Sequence, residues 1–318
     1  MTLDNIKEEI LESKNIVLLT HEVPDGDAIG SSLAMYIGLK QLGKNVDVII
    51  PKYSKTFAFL PSANEIKTEG NIQNYDLAIA LDCGDIKRLN GFSNYFEDAN
   101  CKIQIDHHEA NTMFGDYNFV NPTAPACCQI LIMVLKFLGV EITKEIGTCL
   151  LTGIITDTGG FKYQNVKAET FEFAAELLSR GVNVSEIYKK VLQTVPKAKF
   201  ELRKIAMNRI ELLENGKIAF TYITREDEEK TKSEDHDGIV EMGRDIEGVE
   251  VSIFLRETEN NTYKISLRSN DYVNVSDICL MFGGGGHTRA AGGIIVGLPF
   301  EKAKEKIVNA CKNCIKEN

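Results

Sequence analysis

Leu3, Ile6 and Ile10 recur at the spacing of one helical face and predict a short amphipathic helix over 3–14. The run NIVLLTH (15–21) then stays apolar until it meets Thr20 and His21, the pattern of a short strand buried on both faces. A loop, EVPDG, leads into a periodic segment from Ala28 to Leu42 that predicts a helix ended by Gly43. VDVII (46–50), DLAIAL (76–81) and KIQI (102–105) repeat the short strand pattern, and helical stretches follow at 125–139, 143–156 and 168–180. Strands alternating with helices predict an α/β domain whose mostly parallel sheet is covered by helices on both faces.

From Val184 to Leu213 the pattern is helical and strongly charged, with Pro196 interrupting it, as expected of a connector. Beyond it KIAFTYI, VEVSIFLRE and YKISLRS read as strands, with helices near 235–246 and from Val275 to Phe282. The glycine-rich FGGGGHTRAAGG, an IIV strand and an amphipathic helix complete the chain. Segregated strands and helices predict a smaller α+β domain. The expected division is a catalytic domain over 1–183, a helical connector over 184–213 and a substrate domain over 214–318. The run REDEEKTKSEDHD (225–237) reads as exposed and mobile.

Composition narrows the function. A length of 318 residues, 43% of them apolar, supports two cores. A net charge of −10 argues against gripping long duplex DNA, which needs a basic surface, and favours small anionic substrates with metal ions supplying positive charge. No run approaches the roughly 18 apolar residues of a membrane span. The N-terminal MTLDNIKEEILESKN lacks the basic-then-apolar order of a secretory leader, so a cytoplasmic location is expected. The eight cysteines read as reduced thiols; Cys311 and Cys314 form a C-x-x-C with no second pair to complete a zinc site.

Chemistry concentrates where apolar elements end. His21, Asp25 and Asp27 lie between a strand and a helix, the usual ligand position in an open α/β sheet. Alone, this D-x-D reads as a turn with Asp27 as helix N-cap. Asp82 ends a second strand, Asp106-His107-His108 a third, and Asp157 an apolar helix followed by Thr158-Gly159-Gly160. Carboxylates converging on one crevice repel one another and are costly to desolvate unless cations are present. These motifs contain no matching set of lysines or arginines, and three of the five histidines in the chain fall within them.

HEVPDGDA, the strand-end Asp82, DHH at 106–108 and TDTGGF at 156–161 resemble the motifs of the DHH phosphoesterase superfamily. ISLRSN with FGGGGHTRAAGG is similar to the DHH-associated substrate domain, and motif order and length resemble the NrnA-like branch. That branch degrades very short RNAs and dephosphorylates 3′-phosphoadenosine 5′-phosphate, and some members hydrolyse cyclic-di-AMP or pApA. The resemblance implies a site for two divalent ions, manganese in the family. His21 and Asp25 would hold one, Asp27, His107 and Asp157 the other, and Asp82 would bridge them. Asp106 would orient its neighbouring imidazole from behind, and His108 would face the substrate phosphate or move a proton. Two such ions, about 3.5–4 Å apart, lower the pKa of a shared water, so an in-line attack by hydroxide is expected.

In the second domain, Ser266 and Arg268 of SLRS, Gly284, Gly285 and Gly286, His287 and Arg289 are the expected substrate contacts. Arginine pairs well with phosphate, and consecutive glycines let backbone N–H groups approach an anion. Arg88 reads as a phosphate contact or a surface ion pair, and Arg244 as a solvated helix face. NPTAPACCQI (121–130) departs from the hydroxyl-rich stretch common in the family without removing a ligand.

Hydrolysis of short RNA or dinucleotides is therefore expected, with a dedicated cyclic-di-AMP or pApA phosphodiesterase as the alternative enzyme. SLRS and GGGGH argue against an inorganic pyrophosphatase, and the intact carboxylate set argues against an inactive nucleotide sensor. The resemblance further implies a homodimer.

Overall fold

The computed structural model describes residues 3–72 and 74–315. The extreme ends of the two expected domains and the first two residues of the leader reading lie outside these. The chain forms two compact units, Met1–Thr194 and Val195–Asn318. The stretch 184–213, expected as a connector, is divided at that boundary.

In the first unit α1 (Leu3–Glu12) precedes β1 (Asn15–Leu19), α2 (Gly26–Gln41), β2 (Asn45–Ile49) and the two-residue β3 (Ile66–Lys67). Next come β4 (Leu77–Leu81), a 3-10 turn (Ile86–Phe92), α3 (Ser93–Glu97), β5 (Cys101–Asp106) and β6 (Tyr117–Val120). Helices α4 (Cys127–Phe137), α5 (Lys144–Asp157), α6 (Ala168–Ser179) and α7 (Val184–Tyr188) follow, then a π turn over Lys189–Gln193. The six strands are all parallel, in the order β3-β2-β1-β4-β5-β6. The apolar runs of β1 and β4 have no polar alternation because both faces are covered. Ile16 and Leu18 pack with α2, α4 and α5, while Val17 and Leu19 pack with Leu89 and Phe96 on the other side. Sequence patterning missed β3 and β6, an edge strand of two residues and one of four half-buried residues.

The chain builds outward from β1 in one direction, then returns to begin again at β4. The strand order therefore switches between β1 and β4, where the diverging connections leave a crevice at the carboxyl ends of the strands. His21 lies just beyond β1, Asp82 follows β4, and Asp106 ends β5.

The second unit contains α8 (Lys197–Asn208), β7 (Glu211–Leu213), β8 (Ile218–Ile223), α9 (Arg225–Thr231), α10 (Ile239–Arg244), β9 (Val251–Glu259) and β10 (Thr262–Ser269). It ends with α11 (Val275–Leu280), β11 (Gly285–His287), β12 (Ala290–Val296) and α12 (Phe300–Lys312). Its sheet, β11-β12-β10-β9-β8-β7, is antiparallel except for the β8–β9 pair. One expectation is corrected here: the charged run 225–237 begins as a capped helix, α9. Thr224 and Asp227 form a capping box that starts α9, Asp227 is buried against Arg209, and His236 bonds Glu228 at 2.6 Å.

Asp47 is a carboxylate on a strand otherwise buried, and patterning alone gave it no role. It is 2% exposed and accepts from Lys67 Nζ at 2.5 Å, Tyr75 Oη at 2.7 Å and the Asn71 amide at 2.8 Å. Burial opposes its charge, but these donors outweigh it and hold the carboxyl below the usual range. Asp47→Ala should destabilise the protein by about 3 kcal/mol in denaturant titration, because it leaves the lysine and hydroxyl without a partner. A depressed carboxyl contributes fully above its unfolded value, near 3.9, and its contribution is lost as pH falls through the folded one. The stability gap between wild type and variant should thus close below about pH 4.

Candidate metal centre

The loop after β1 turns into α2 through Asp25, which is the N-cap: its Oδ1 accepts from the amides of Asp27 at 3.0 Å and Ala28 at 3.1 Å. The sequence had suggested Asp27 for that position. Asp27 instead lies in the first turn, fully buried, and its carboxylate reaches the start of α4. Oδ2 accepts from the Cys127 amide at 2.5 Å and Oδ1 from the Cys128 amide at 2.9 Å. Helix α4 has no capping side chain of its own, so Asp27 supplies the missing acceptor from another helix. Backbone amides carry this contact, which is why the NPTAPACCQI sequence gave no sign of it.

Asp82 stands immediately beyond β4 with φ 52°, a left-handed conformation uncommon outside glycine, while its amide donates to Ile105 O at 3.0 Å. His107 Nε2 lies 3.3 Å from Asp82 Oδ1, 3.3 Å from Asp157 Oδ2 and 3.8 Å from Asp27 Oδ2. Its Nδ1 is 3.2 Å from the Ala124 carbonyl, which fixes the ring with Nε2 toward the carboxylates. His21 Nε2 is 3.7 Å from Asp82 Oδ2.

Two groups therefore form, His21 with Asp25 and Asp82, and Asp27 with His107 and Asp157, each offering ligand atoms within 4.8 Å of one another. His107 Nε2 links Asp82 to the second group. Asp82, His107 and His108 make a third, overlapping set. Asp106 does not stand behind His107; its Oδ1 accepts from His108 Nδ1 at 2.7 Å, and its Oδ2 from Asn111 Nδ2 at 2.5 Å.

The electrostatics describe a site with too much negative charge. Burial, with Asp82 and Asp157 adding repulsion, raises the Asp27 carboxyl well above its usual value. Burial also pushes Asp157 up to about 6 against the bond from His107. Its place at the C-terminus of α5 adds an unfavourable helix dipole. Burial disfavours charge on His107, but bonds to Asp157 and Asp82 and the charge of Asp27 push the imidazole up to about 12. Burial likewise opposes Asp82, where bonds from His107 and His21 prevail and depress its pKa. Among the described residues, the buried His21 Nδ1 has no hydrogen-bond partner. Divalent cations would satisfy such atoms and offset the repulsion, so the donor set fits a metal centre.

Small residues bring the helices this close. A Cβ at Gly153 would lie 2.3 Å from Cys128 Sγ and 2.5 Å from Asp27 Oδ1.

In the second unit, the register sets Arg268, Ala290 and His287 in one row across β10, β12 and β11, with Ser266, Gly292 and Gly285 in another. Ser266 and Arg268, two apart on one strand, share a face. Arg268 Nε bonds Glu241 at 3.0 Å. The amides of Gly283 and Gly284 are taken by carbonyls of α11, and Gly284 lies so close to Gly292 that a Cβ would collide with its carbonyl. Arg289 donates to the carbonyls of Val273 and Asp271. His287 is exposed.

Residues 15–154 match the "DHH family, N-terminal domain" and residues 215–317 the "DHHA1 domain". A Thermus thermophilus protein named "Bifunctional oligoribonuclease and PAP phosphatase NrnA" is 36% identical over 93% of this chain and 89% of its own. A Mycoplasma genitalium protein of the same name is 26% identical over 97% and 95%. The crystal structure of an exopolyphosphatase-related protein from Bacteroides fragilis superposes with a TM-score of 0.86 at 29% identity, covering 98% of this chain and 94% of that one.

Gly153→Ala should weaken divalent-ion binding by about tenfold or more in calorimetric titration, by displacing Asp27 from the α4 amides.

Proposed function

Since the chain belongs to the DHH family of phosphoesterases, we propose that it hydrolyses short oligoribonucleotides and dinucleotides, pApA included, and removes the 3′-phosphate of 3′-phosphoadenosine 5′-phosphate. The observation behind this reaction class is the meeting of His21, Asp25, Asp27, Asp82, His107 and Asp157 at the switch point of the sheet. The substrate class rests on kinship with proteins named as oligoribonucleases and PAP phosphatases.

In this reading His21 and Asp25 hold one divalent ion, Asp27, His107 and Asp157 a second, and Asp82 contributes to both. Manganese is the proposed ion, since it accepts mixed imidazole and carboxylate ligands. Bound ions supply positive charge to the phosphoryl oxygens and lower the pKa of a water. The remaining work belongs to side chains. His107 keeps Nε2 aimed inward because Ala124 holds Nδ1. Asp106 fixes His108 through Nδ1, so a proton that His108 gives or takes at the substrate moves at Nε2. Ser266, Arg268, Gly284, Gly285, Gly286 and His287 are the proposed nucleotide contacts. Arg289 acts through the 271–273 loop that it holds.

A homodimer, as the resemblance implies, and a cytoplasmic location complete the reading; sedimentation of the purified protein checks the dimer. Among the described residues no helix is long and apolar enough to cross a membrane.

Manganese-dependent turnover should be seen with pApA, a four-nucleotide RNA and phosphoadenosine phosphate, followed by chromatography of the products. Turnover of pApA alone would favour the dedicated phosphodiesterase, and binding without turnover of any would favour a sensor. Asp82→Ala should abolish nearly all activity, because it removes a ligand from both ion positions. Substantial activity in that variant would reject its bridging role.

A further inference from the structure

We propose that Arg88 is a phosphate-binding residue of this centre, a guanidinium held at its rim to grip the phosphate under attack; this rests on the phosphoesterase reading above. Arg209, Arg244, Arg256 and Arg268 bond carboxylates, and Arg203 and Arg289 donate to backbone carbonyls. What sets Arg88 apart is its place, since its side chain meets a histidine beside the carboxylate cluster. Among the described residues it has no carboxylate within 4.0 Å, and its side-chain partner is His108 Nε2, 3.4 Å from its Nη1. That is a long contact and leaves most of the guanidinium donors open. His108 is the histidine fixed by Asp106 and 3.7 Å from Asp82 Oδ1, so the cation stands beside the cluster with its donors uncommitted.

The backbone that carries Arg88 is tied to the loop that carries His21 and Asp25. Glu22 donates its amide to Arg88 O at 2.8 Å, and the side chain of Asn90 bonds the Glu22 carboxylate. Asp85 caps the 3-10 turn, accepting from the Lys87 amide at 2.8 Å, and its carbonyl accepts from the Arg88 amide at 2.9 Å. Asn90 takes φ 48° and ψ −129°, a conformation few non-glycine residues adopt. Its strain is kept where the turn meets the Glu22 loop, as when position matters more than local stability. Arginine suits the task, since its planar fork pairs two donors with two phosphate oxygens. Because the contact is to the reacting phosphate and not to a base, every phosphoester substrate should depend on it equally.

The test compares wild type, Arg88→Ala, Arg88→Gln and Arg88→Lys as manganese-loaded protein on pApA, a four-nucleotide RNA and phosphoadenosine phosphate. The alanine and glutamine variants should raise KM by about 10–100-fold on all three substrates, with manganese content and melting temperature unchanged. Lysine should fall between, keeping charge without the fork. Added guanidinium chloride at millimolar concentration should restore part of the alanine variant's activity, which a purely structural role would not allow. An unchanged KM, or a loss that tracks loss of bound manganese and resists guanidinium, overturns the assignment. Wild-type protein inactive on all three substrates would instead remove the phosphoesterase reading and this inference with it.

Discussion

Like charges confined in a crevice of low dielectric are the constraint around which the first unit is organised. Asp25 and Asp27, Asp82 and Asp157 come from three separate stretches of the chain and converge on His107, His21 and one another. Nothing in folding alone rewards that convergence; repulsion and desolvation oppose it. The burden shows in the raised pKa of the Asp27 and Asp157 carboxyls and of the His107 imidazole that faces them. A scaffold of parallel strands buried on both faces keeps these groups together, and divalent ions turn the arrangement from a cost into a site.

The supporting contacts share one logic: fixed dipoles and backbone approach take the place of side-chain partners. Asp27 is held by two amides at the start of α4, so its charge is met by a helix terminus that would otherwise lack an acceptor. Gly153 lets α5 come close enough to define that pocket. Asp82 leaves β4 in a left-handed conformation, and Asn90 adopts a rarer one in the neighbouring turn. Conformations costing about 1–3 kcal/mol each thus gather around the carboxylates, and the buried sheet beneath supplies the stability that tolerates them.

Much of this was legible along the chain. The apolar runs of β1, β4 and β5 stop at His21, Asp82 and Asp106 within a residue or two, because a strand core ends where its carboxyl edge opens to a ligand. Helices α4, α5 and α6 were found within about two residues at most ends by the 3.6-residue period. What escaped was short or non-local. Strand β3 has two residues, too few for any period, and the capping box that orders α9 lies in a run so charged that composition alone suggests mobility.

The sequence by itself picked out the acids and imidazoles that the fold brings together, since they stand at the ends of apolar elements. It also determined the alternation of strands and helices, because local periodicity records burial. Only the tertiary structure decided how the donors divide: that Asp25 caps α2 while Asp27 reaches α4, that Asp106 supports His108 and not His107, and that Arg88 stands against His108. Those facts depend on side-chain distances across up to about a hundred residues and on backbone amides, and neither leaves a mark in the order of residue types.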